Sequence, residues 1–470
     1  MLLERVYDEM LAQASYLIGC ERSGQAVVID PTREVDAYLE LAARKHLRIT
    51  YVSETHIHAD FVSGARELAD RAGASLLLSG HGEGEWAYRT TARLIRDGDT
   101  IDVGDVSLDV RHTPGHTPEH IAFVVTDRAV SDRPLGMLSG DFIFVGDVGR
   151  PDLLERAANA RGTADALARR LFHSVRETES LPDFLQVWPG HGAGSACGKA
   201  LGALPSSTLG YERLANWAFQ IADEVRFVRE ALAGQSTPPP YFARMKVVNR
   251  DGPPALSTVA LPILGLESFR AAIERGAFAV DVRGSAAFAA EHVPRTLNFP
   301  LGSSFLTWAG WLLPYDRDLI LLADDAERVA HARRALSLIG LDRVVASAGR
   351  ELRTAWAASN GPLGRVEQID MTSLAASNHR TIVDVRNDAE WSAGHVPAAQ
   401  HLFLGDIAAR ADELSLDQPI ALHCGGGTRS AIAASFLLAR GFNKVVNATG
   451  GYGAWTAAGL PVIRGDDAER

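Results

Sequence analysis

The C-terminal half of the chain repeats itself. Ala279-Val280-Asp281-Val282-Arg283 returns as Ile382-Val383-Asp384-Val385-Arg386, and Glu291-His292-Val293-Pro294 as Gly394-His395-Val396-Pro397. Residues 319–324 match residues 419–424, and residues 339–345 match residues 440–446. An offset of roughly 100 residues is too long for a solenoid unit, so the repeat calls for two whole domains of one fold. Asp324 stands opposite Cys424 in this matching, so a nucleophilic sulfur remains in the second copy alone.

The N-terminal half has a different organisation. Residues 26–31 read as a strand, 35–45 as a helix and 49–53 as a second strand, a βαβ beginning. Further strands are expected at 75–78, 106–110, 121–125, 135–139 and 184–187, and a long helix at 211–232. Pro238-Pro239-Pro240 then predicts a stiff extended segment marking the edge of this region, which ends near residue 250. With 470 residues, about three domains are expected.

Histidines and acids gather just past the strands. Thr55-His56-Ile57-His58-Ala59-Asp60-Phe61 follows the strand at 49–53, and alternation puts His56, His58 and Asp60 on one side. His116 lies in Thr113-Pro114-Gly115-His116-Thr117, Asp141 follows Gly140, and His191 lies in Pro189-Gly190-His191-Gly192. Dispersed nitrogen and oxygen donors at strand ends suit a metal ion. This set resembles the metallo-β-lactamase superfamily. The resemblance implies an αββα sandwich with metal at one edge of its sheets. In hydrolytic members the first motif ends in a further His that serves a second metal; here that position is Phe61, which favours a single ion.

Two imidazoles and a carboxylate form the facial set associated with non-haem Fe(II). Persulfide dioxygenases of the superfamily hold one iron through positions matching His56, His116 and Asp141, so the resemblance implies Fe(II), one per chain, with zinc as the alternative. His58, Asp60 and His191 are then expected around the ligands. Gly149-Arg150-Pro151-Asp152 matches the family's substrate-contacting element, making Arg150 an expected anion-binding group and Asp152 its positioner. Cys197, in the glycine-rich segment after His191, is a further candidate facing the metal cleft, whereas Cys20 reads as packing. His81, His112, His120 and His173 read as packed or solvated groups, with His120 near the His116 loop.

The second chemical element is Cys424-Gly425-Gly426-Gly427-Thr428-Arg429, between an apolar strand and a helix. A cysteine at a helix start, ringed by backbone N–H groups that glycines allow to close, is expected to have a lowered pKa. The loop resembles the rhodanese active site, and Asp384-Val385-Arg386, Gly394-His395-Val396-Pro397 and Gly450-Gly451-Tyr452-Gly453 fit the same family. The resemblance implies that Cys424 carries sulfane sulfur, that Arg429 and the 425–428 loop hold the anionic donor or acceptor, and that both repeats are α/β domains with central parallel sheets.

The expected architecture is therefore a multidomain α/β chain: a metallo-β-lactamase-type persulfide dioxygenase domain over 1–250, an inactive rhodanese-like domain over 258–362, and an active one over 366–466. The expected function is O2 oxidation of low-molecular-weight thiol persulfides to sulfite in sulfide detoxification, coupled to sulfur transfer in either of two directions: sulfite meeting a Cys424 persulfide to give thiosulfate, or Cys424 feeding persulfide to the iron. The alternative is a zinc thioester hydrolase of the glyoxalase II kind fused to sulfurtransferase modules. A net charge of −11 without a basic patch argues against nucleic acid or anionic membrane as partner. The absence of a long apolar run, and three widely spaced cysteines, lead to the expectation of a cytoplasmic homo-oligomer with reduced thiols.

Overall fold

A computed structural model describes residues 1–158, 162–199, 201–257, 259–377 and 380–464. Thr258 and residues 465–466, which fall in the expected domain limits, lie outside the described residues. The chain forms two compact units, Met1–Ser257 with Ser337–Gly340, and Thr258–Leu336 with Leu341–Arg470.

The first unit contains two six-stranded sheets. One runs in order β1 (Leu2–Asp8), β2 (Gln13–Cys20), β3 (Gln25–Ile29), β4 (Arg48–Ser53), β5 (Ser75–Ser79), β6 (Arg93–Ile95). The other has the order β12 (Ser207–Thr208), β11 (Gln186–Pro189), β10 (Gly136–Gly140), β9 (Ile121–Asp127), β8 (Val106–His112), β7 (Thr100–Val103). Alternation along each strand sends residues to two different cores. Val27 and Ile29 join Phe123, Val125 and Leu108 between the sheets. Ala26 and Val28 face the other way, against the helices Val35–Arg44 and Ala65–Ala72. Val124 and Met137 pack under Leu171 and Val175 of the helix Ala164–Glu177. The layers are thus helix, sheet, sheet, helix.

Two expectations are corrected here. The single helix over 211–232 is three shorter helices, Leu209–Ala215, Trp217–Gln220 and Glu224–Leu232. The breaks come from side chains that cap: Asn216 Oδ1 accepts from Ala218 N and Asp223 Oδ1 from Arg226 N, and each such local bond competes with the helix ladder. The proline run does not close the first unit, because Pro240 already has helical dihedrals and starts the helix Tyr241–Asp251, which belongs to that unit.

The second unit holds two sheets whose strand pairs are all parallel. The four-stranded sheet has the order β14 (Leu297–Asn298), β13 (Phe278–Asp281), β15 (Leu319–Leu322), β16 (Val344–Ala348). The five-stranded sheet has the order β17 (Glu367–Asp370), β21 (Val445–Thr449), β20 (Ile420–His423), β18 (Thr381–Asp384), β19 (Gln400–His401). Every residue of β15 and β20 is buried, as strands covered on both faces must be.

Strand register moves the repeat matching by one residue. Asp281 pairs with Leu322, and its counterpart Asp384 with His423. Ala323 therefore stands opposite Cys424, and Asp324 opposite Gly425. Continuous apolar runs carry too little pattern to fix a one-residue offset. The first copy still lacks the thiol, and Asp324 instead accepts from Arg353 Nη2 at 2.6 Å.

Candidate metal centre and sulfur site

The metal cluster is assembled where β3, β4, β8 and β10 end. Asp30 follows β3 with φ of +53° and is buried. Its carboxylate accepts from Thr55 N at 2.6 Å and from Thr55 Oγ1 at 2.9 Å, and meets His58 Nε2 at 3.1 Å. The threonine hydroxyl thus donates to Asp30, so the 3.0 Å contact with His56 Nδ1 has the imidazole as donor. That leaves His56 with a lone pair on Nε2. The same logic holds for His116, whose Nδ1–H donates to Arg150 O at 3.1 Å, and for His191, whose Nδ1–H donates to Ala12 O at 3.2 Å.

Three Nε2 lone pairs consequently converge on one carboxylate oxygen. Asp141 Oδ2 lies 3.9 Å from His56, 3.5 Å from His116 and 3.4 Å from His191. Asp141 is buried, and neither of its oxygens nor His191 Nε2 has a hydrogen-bond partner among the described residues. Acceptors facing acceptors in a dry site are unfavourable unless a cation lies among them. Burial keeps both ring systems neutral, holding His116 down at about 3 and His56 well below its usual range, which is the protonation state a ligand needs. The ligand atoms of His56, His116 and Asp141 all lie within 4.8 Å of one another, and the donor set fits a divalent ion.

The neighbouring expected residues divide. Asp60 Oδ2 lies 3.4 Å from His191 Nε2, and Asp60, His191 and Cys197 form a second group of ligand-type atoms within 4.8 Å. Burial, then Asp60 and Asp141, push the Cys197 thiol well above its ordinary range. His58 turns its Nε2 to Asp30; burial opposes a charge there, but Asp30, Glu54 and Asp60 raise it to about 9. Phe61 is buried and its ring packs 4.4 Å from that of His58. Arg150 is only 1% exposed and donates in fork geometry to Asp152, at 2.8 Å from both Nε and Nη2, with Nη1 directed to Ala196 O. Its charge is therefore matched inside the protein.

Three residues that build the site escaped the sequence reading. His120 takes the Asp141 N–H on Nε2 at 3.0 Å, its Nδ1 lies 2.8 Å from Thr113 Oγ1, and its ring stacks 5.1 Å from His56. Gly140, with φ of +51°, makes that approach feasible, since a Cβ there would sit 2.8 Å from His120 Nε2. Asn249, on the helix Tyr241–Asp251, donates to His58 O and Phe61 O, both at 2.7 Å, and accepts from Ser63 N at 2.9 Å. Asp30 is the third. It had a signal, an acid closing a strand before Pro31; His120 showed only proximity to His116, and Asn249 showed none.

In the second unit, Cys424 follows β20 and precedes the helix Thr428–Ala439. Gly427, with φ of +115°, turns its N–H onto Cys424 Sγ at 3.0 Å, and Ser430 Oγ lies 3.7 Å from the same sulfur. Arg429 reaches back over the loop, where a Cβ on Gly425 would lie 3.0 Å from Nη2. Glu390 meets that guanidinium with both oxygens, at 2.5 and 2.7 Å. All three cysteines are free.

Residues 9–191 match the metallo-beta-lactamase superfamily and residues 370–458 the rhodanese-like domain. The human mitochondrial persulfide dioxygenase ETHE1 is 30% identical over 195 residues, spanning 41% of this chain and 68% of that protein. A hydroxyacylglutathione hydrolase of Polaromonas sp. is 31% identical over 193 residues, 41% of this chain and 66% of that one. The crystal structure of a metallo-beta-lactamase from Staphylococcus aureus subsp. aureus COL superposes with a TM-score of 0.67 at 39% identity, covering 74% of this chain and 98% of that one.

Proposed function

The chain belongs to the metallo-β-lactamase superfamily and carries a C-terminal rhodanese-like domain, and from that premise we propose that it is an iron persulfide dioxygenase joined to a sulfurtransferase. The reading assigns residues 1–250 to the dioxygenase, 258–362 to a rhodanese-like domain without a sulfur carrier, and 366–466 to an active one. The overall reaction is RSSH + O2 + H2O → RSH + SO3²⁻ + 2 H⁺, with the terminal sulfur giving up four electrons to O2.

The observation that carries it is the convergence of His56 Nε2, His116 Nε2 and Asp141, with Phe61 offering no ligand at the motif position where the hydrolytic members carry a further His. Fe(II) held by these three would supply the redox chemistry that joins O2 to sulfur. The chain's own residues do the rest. His56 and His116 are neutral donors oriented by Thr55 and by the Arg150 carbonyl. His120 holds the backbone of Asp141, and burial of the whole cluster keeps bulk water from a reactive sulfur anion. Asp60 and His191, on the far flank of Asp141, are placed to exchange a proton with bound substrate or water. Arg150 keeps its guanidinium buried and paired with Asp152, so its part in the site is to hold the backbone carbonyl that accepts the His116 Nδ1–H.

Cys424 takes the sulfane sulfur in the second unit, steadied by Gly427 N–H and Ser430 Oγ. Sulfite from the iron reaction attacks the outer sulfur of a Cys424 persulfide, whose S–S bond breaks to release thiosulfate and regenerate the Cys424 thiol: SO3²⁻ + Cys-SSH → S2O3²⁻ + Cys-SH. A second reading, a zinc thioester hydrolase, is favoured by one observation: Asp60, His191 and Cys197 form a second donor group, whose His191 Nε2 lies 3.4 Å from Asp141 Oδ2 of the first. Metal analysis of protein purified without oxygen separates the two. One iron per chain supports the dioxygenase; two zinc ions with cleavage of S-lactoylglutathione support the hydrolase.

A further inference from the structure

The ion pair at the mouth of the Cys424 loop carries a consequence for donor choice, resting on the reading that Cys424 carries sulfur. A glycine loop at a helix N-terminus with an arginine over it would, unopposed, favour the most highly charged oxyanion available. Here the arginine is opposed. Glu390 Oε2 lies 2.5 Å from Arg429 Nη1 and Oε1 lies 2.7 Å from Nη2, a fork-to-fork pair that uses the face of the guanidinium best suited to an incoming anion. The carboxylate is also held from behind: Glu390 Oε2 accepts from Asn387 N at 3.2 Å, while Asn387 Oδ1 accepts from Glu390 N at 2.8 Å, a reciprocal cap of the helix Asp388–Ala393.

The pair sits where donors must pass. A Cβ built on Gly425 would lie 3.0 Å from Arg429 Nη2 and 3.7 Å from Glu390 Oε1, so both charges overlie the loop next to Cys424, and both side chains remain partly open to solvent. Burial works against the Glu390 charge, yet Arg429 and Asn387 N–H hold its carboxyl below the usual range, so it is ionised at neutral pH. With Arg429 paired in this way, the loop meets a donor with its backbone N–H groups, the Gly427 N–H on Cys424 Sγ among them.

We propose that Glu390 sets the donor preference at Cys424, neutralising Arg429 so that dianionic oxysulfur donors are disfavoured relative to persulfides of small zwitterionic thiols. The chemistry is the same for both donors. With a persulfide, Cys424-S⁻ attacks the terminal sulfur, the donor S–S bond breaks as the new one forms, and RS⁻ departs, leaving the proton on the Cys424 persulfide: RSSH + Cys-S⁻ → RS⁻ + Cys-SSH. With thiosulfate the leaving group is SO3²⁻, and two negative charges must first pass Glu390. Glu390 acts through Arg429 and the local field, a positioning and selecting role rather than a catalytic one.

The test uses the full-length chain without oxygen, with cyanide as acceptor, thiocyanate as readout, and either thiosulfate or cysteine persulfide as donor. In Glu390→Gln the KM for thiosulfate should fall on the order of tenfold with kcat nearly unchanged, as expected for removing one charge near an incoming dianion. The kcat/KM for cysteine persulfide should hold within about twofold, a change no larger than that of a rim contact. Glu390→Asp, which keeps the charge, should keep the native preference. Equal changes for both donors, or an unchanged KM for thiosulfate in Glu390→Gln, would overturn the inference. Thiocyanate formation that survives in Cys424→Ser would instead overturn the underlying reading that Cys424 carries sulfur.

Discussion

At the scale of single residues, the metal centre is governed by hydrogen bonds that fix tautomers. His120 touches no candidate substrate position but holds the Asp141 N–H. Replacing it by alanine removes this support and a ring stacked against His56, so iron affinity should fall about 10- to 100-fold, measured by chelator competition. Acid should act through Asp141. Burial pushes its carboxyl up to about 6 in the metal-free site, whereas His116 titrates at about 3. Below about 6 the ion must displace one proton from Asp141, so affinity should drop about tenfold per pH unit there and be flat above it. A curve still rising steeply between pH 7 and 8 would contradict this assignment. His56, His116 and Asp141 were legible in the sequence because each is a ligand-type residue in the loop that follows a strand. His58 was legible as a neighbour only; its orientation towards Asp30 depends on a contact between β3 and the loop after β4 that spacing does not encode.

At the scale of elements, strands were readable and their partners less so. Apolar alternation located β3, β4, β5, β8, β9 and β10 within a residue or two, since each carries its own two-sided pattern. β1 was missed, and β2 was legible only as an apolar strand ending at Cys20, because a strand buried on both faces shows no alternation to mark its start. The one-residue slip between the repeats has the same origin in the uniform runs of β15 and β20. Least legible was the helix Tyr241–Asp251, which lies about 190 residues from the loop it secures, since His58 to Asn249 spans 191 positions. Asn249→Ala leaves the carbonyls of His58 and Phe61 and the N–H of Ser63 without their partner. It should destabilise the first unit by about 3 kcal/mol and lower metal retention after dialysis, read by calorimetry and metal content. Unchanged metal retention would mean that the 58–63 loop is held by other contacts.

At the scale of the whole molecule, two chemically distinct sites are built in two separate compact units, each with its own cores. No helix among the described residues is long and apolar enough to cross a membrane. The units should fail independently. His116→Ala should abolish O2 consumption while leaving thiocyanate formation within about twofold of native, and Cys424→Ser should do the reverse, because each residue is buried within its own unit. Loss of both activities in either variant would show the sites to be energetically linked. The central claim is tested most directly by following dissolved oxygen and sulfite together when the iron-loaded Cys424→Ser chain, which cannot carry sulfite on to thiosulfate, is given a low-molecular-weight persulfide. The account predicts one O2 consumed and one sulfite released per persulfide; no oxygen consumption by protein carrying one iron per chain would contradict it.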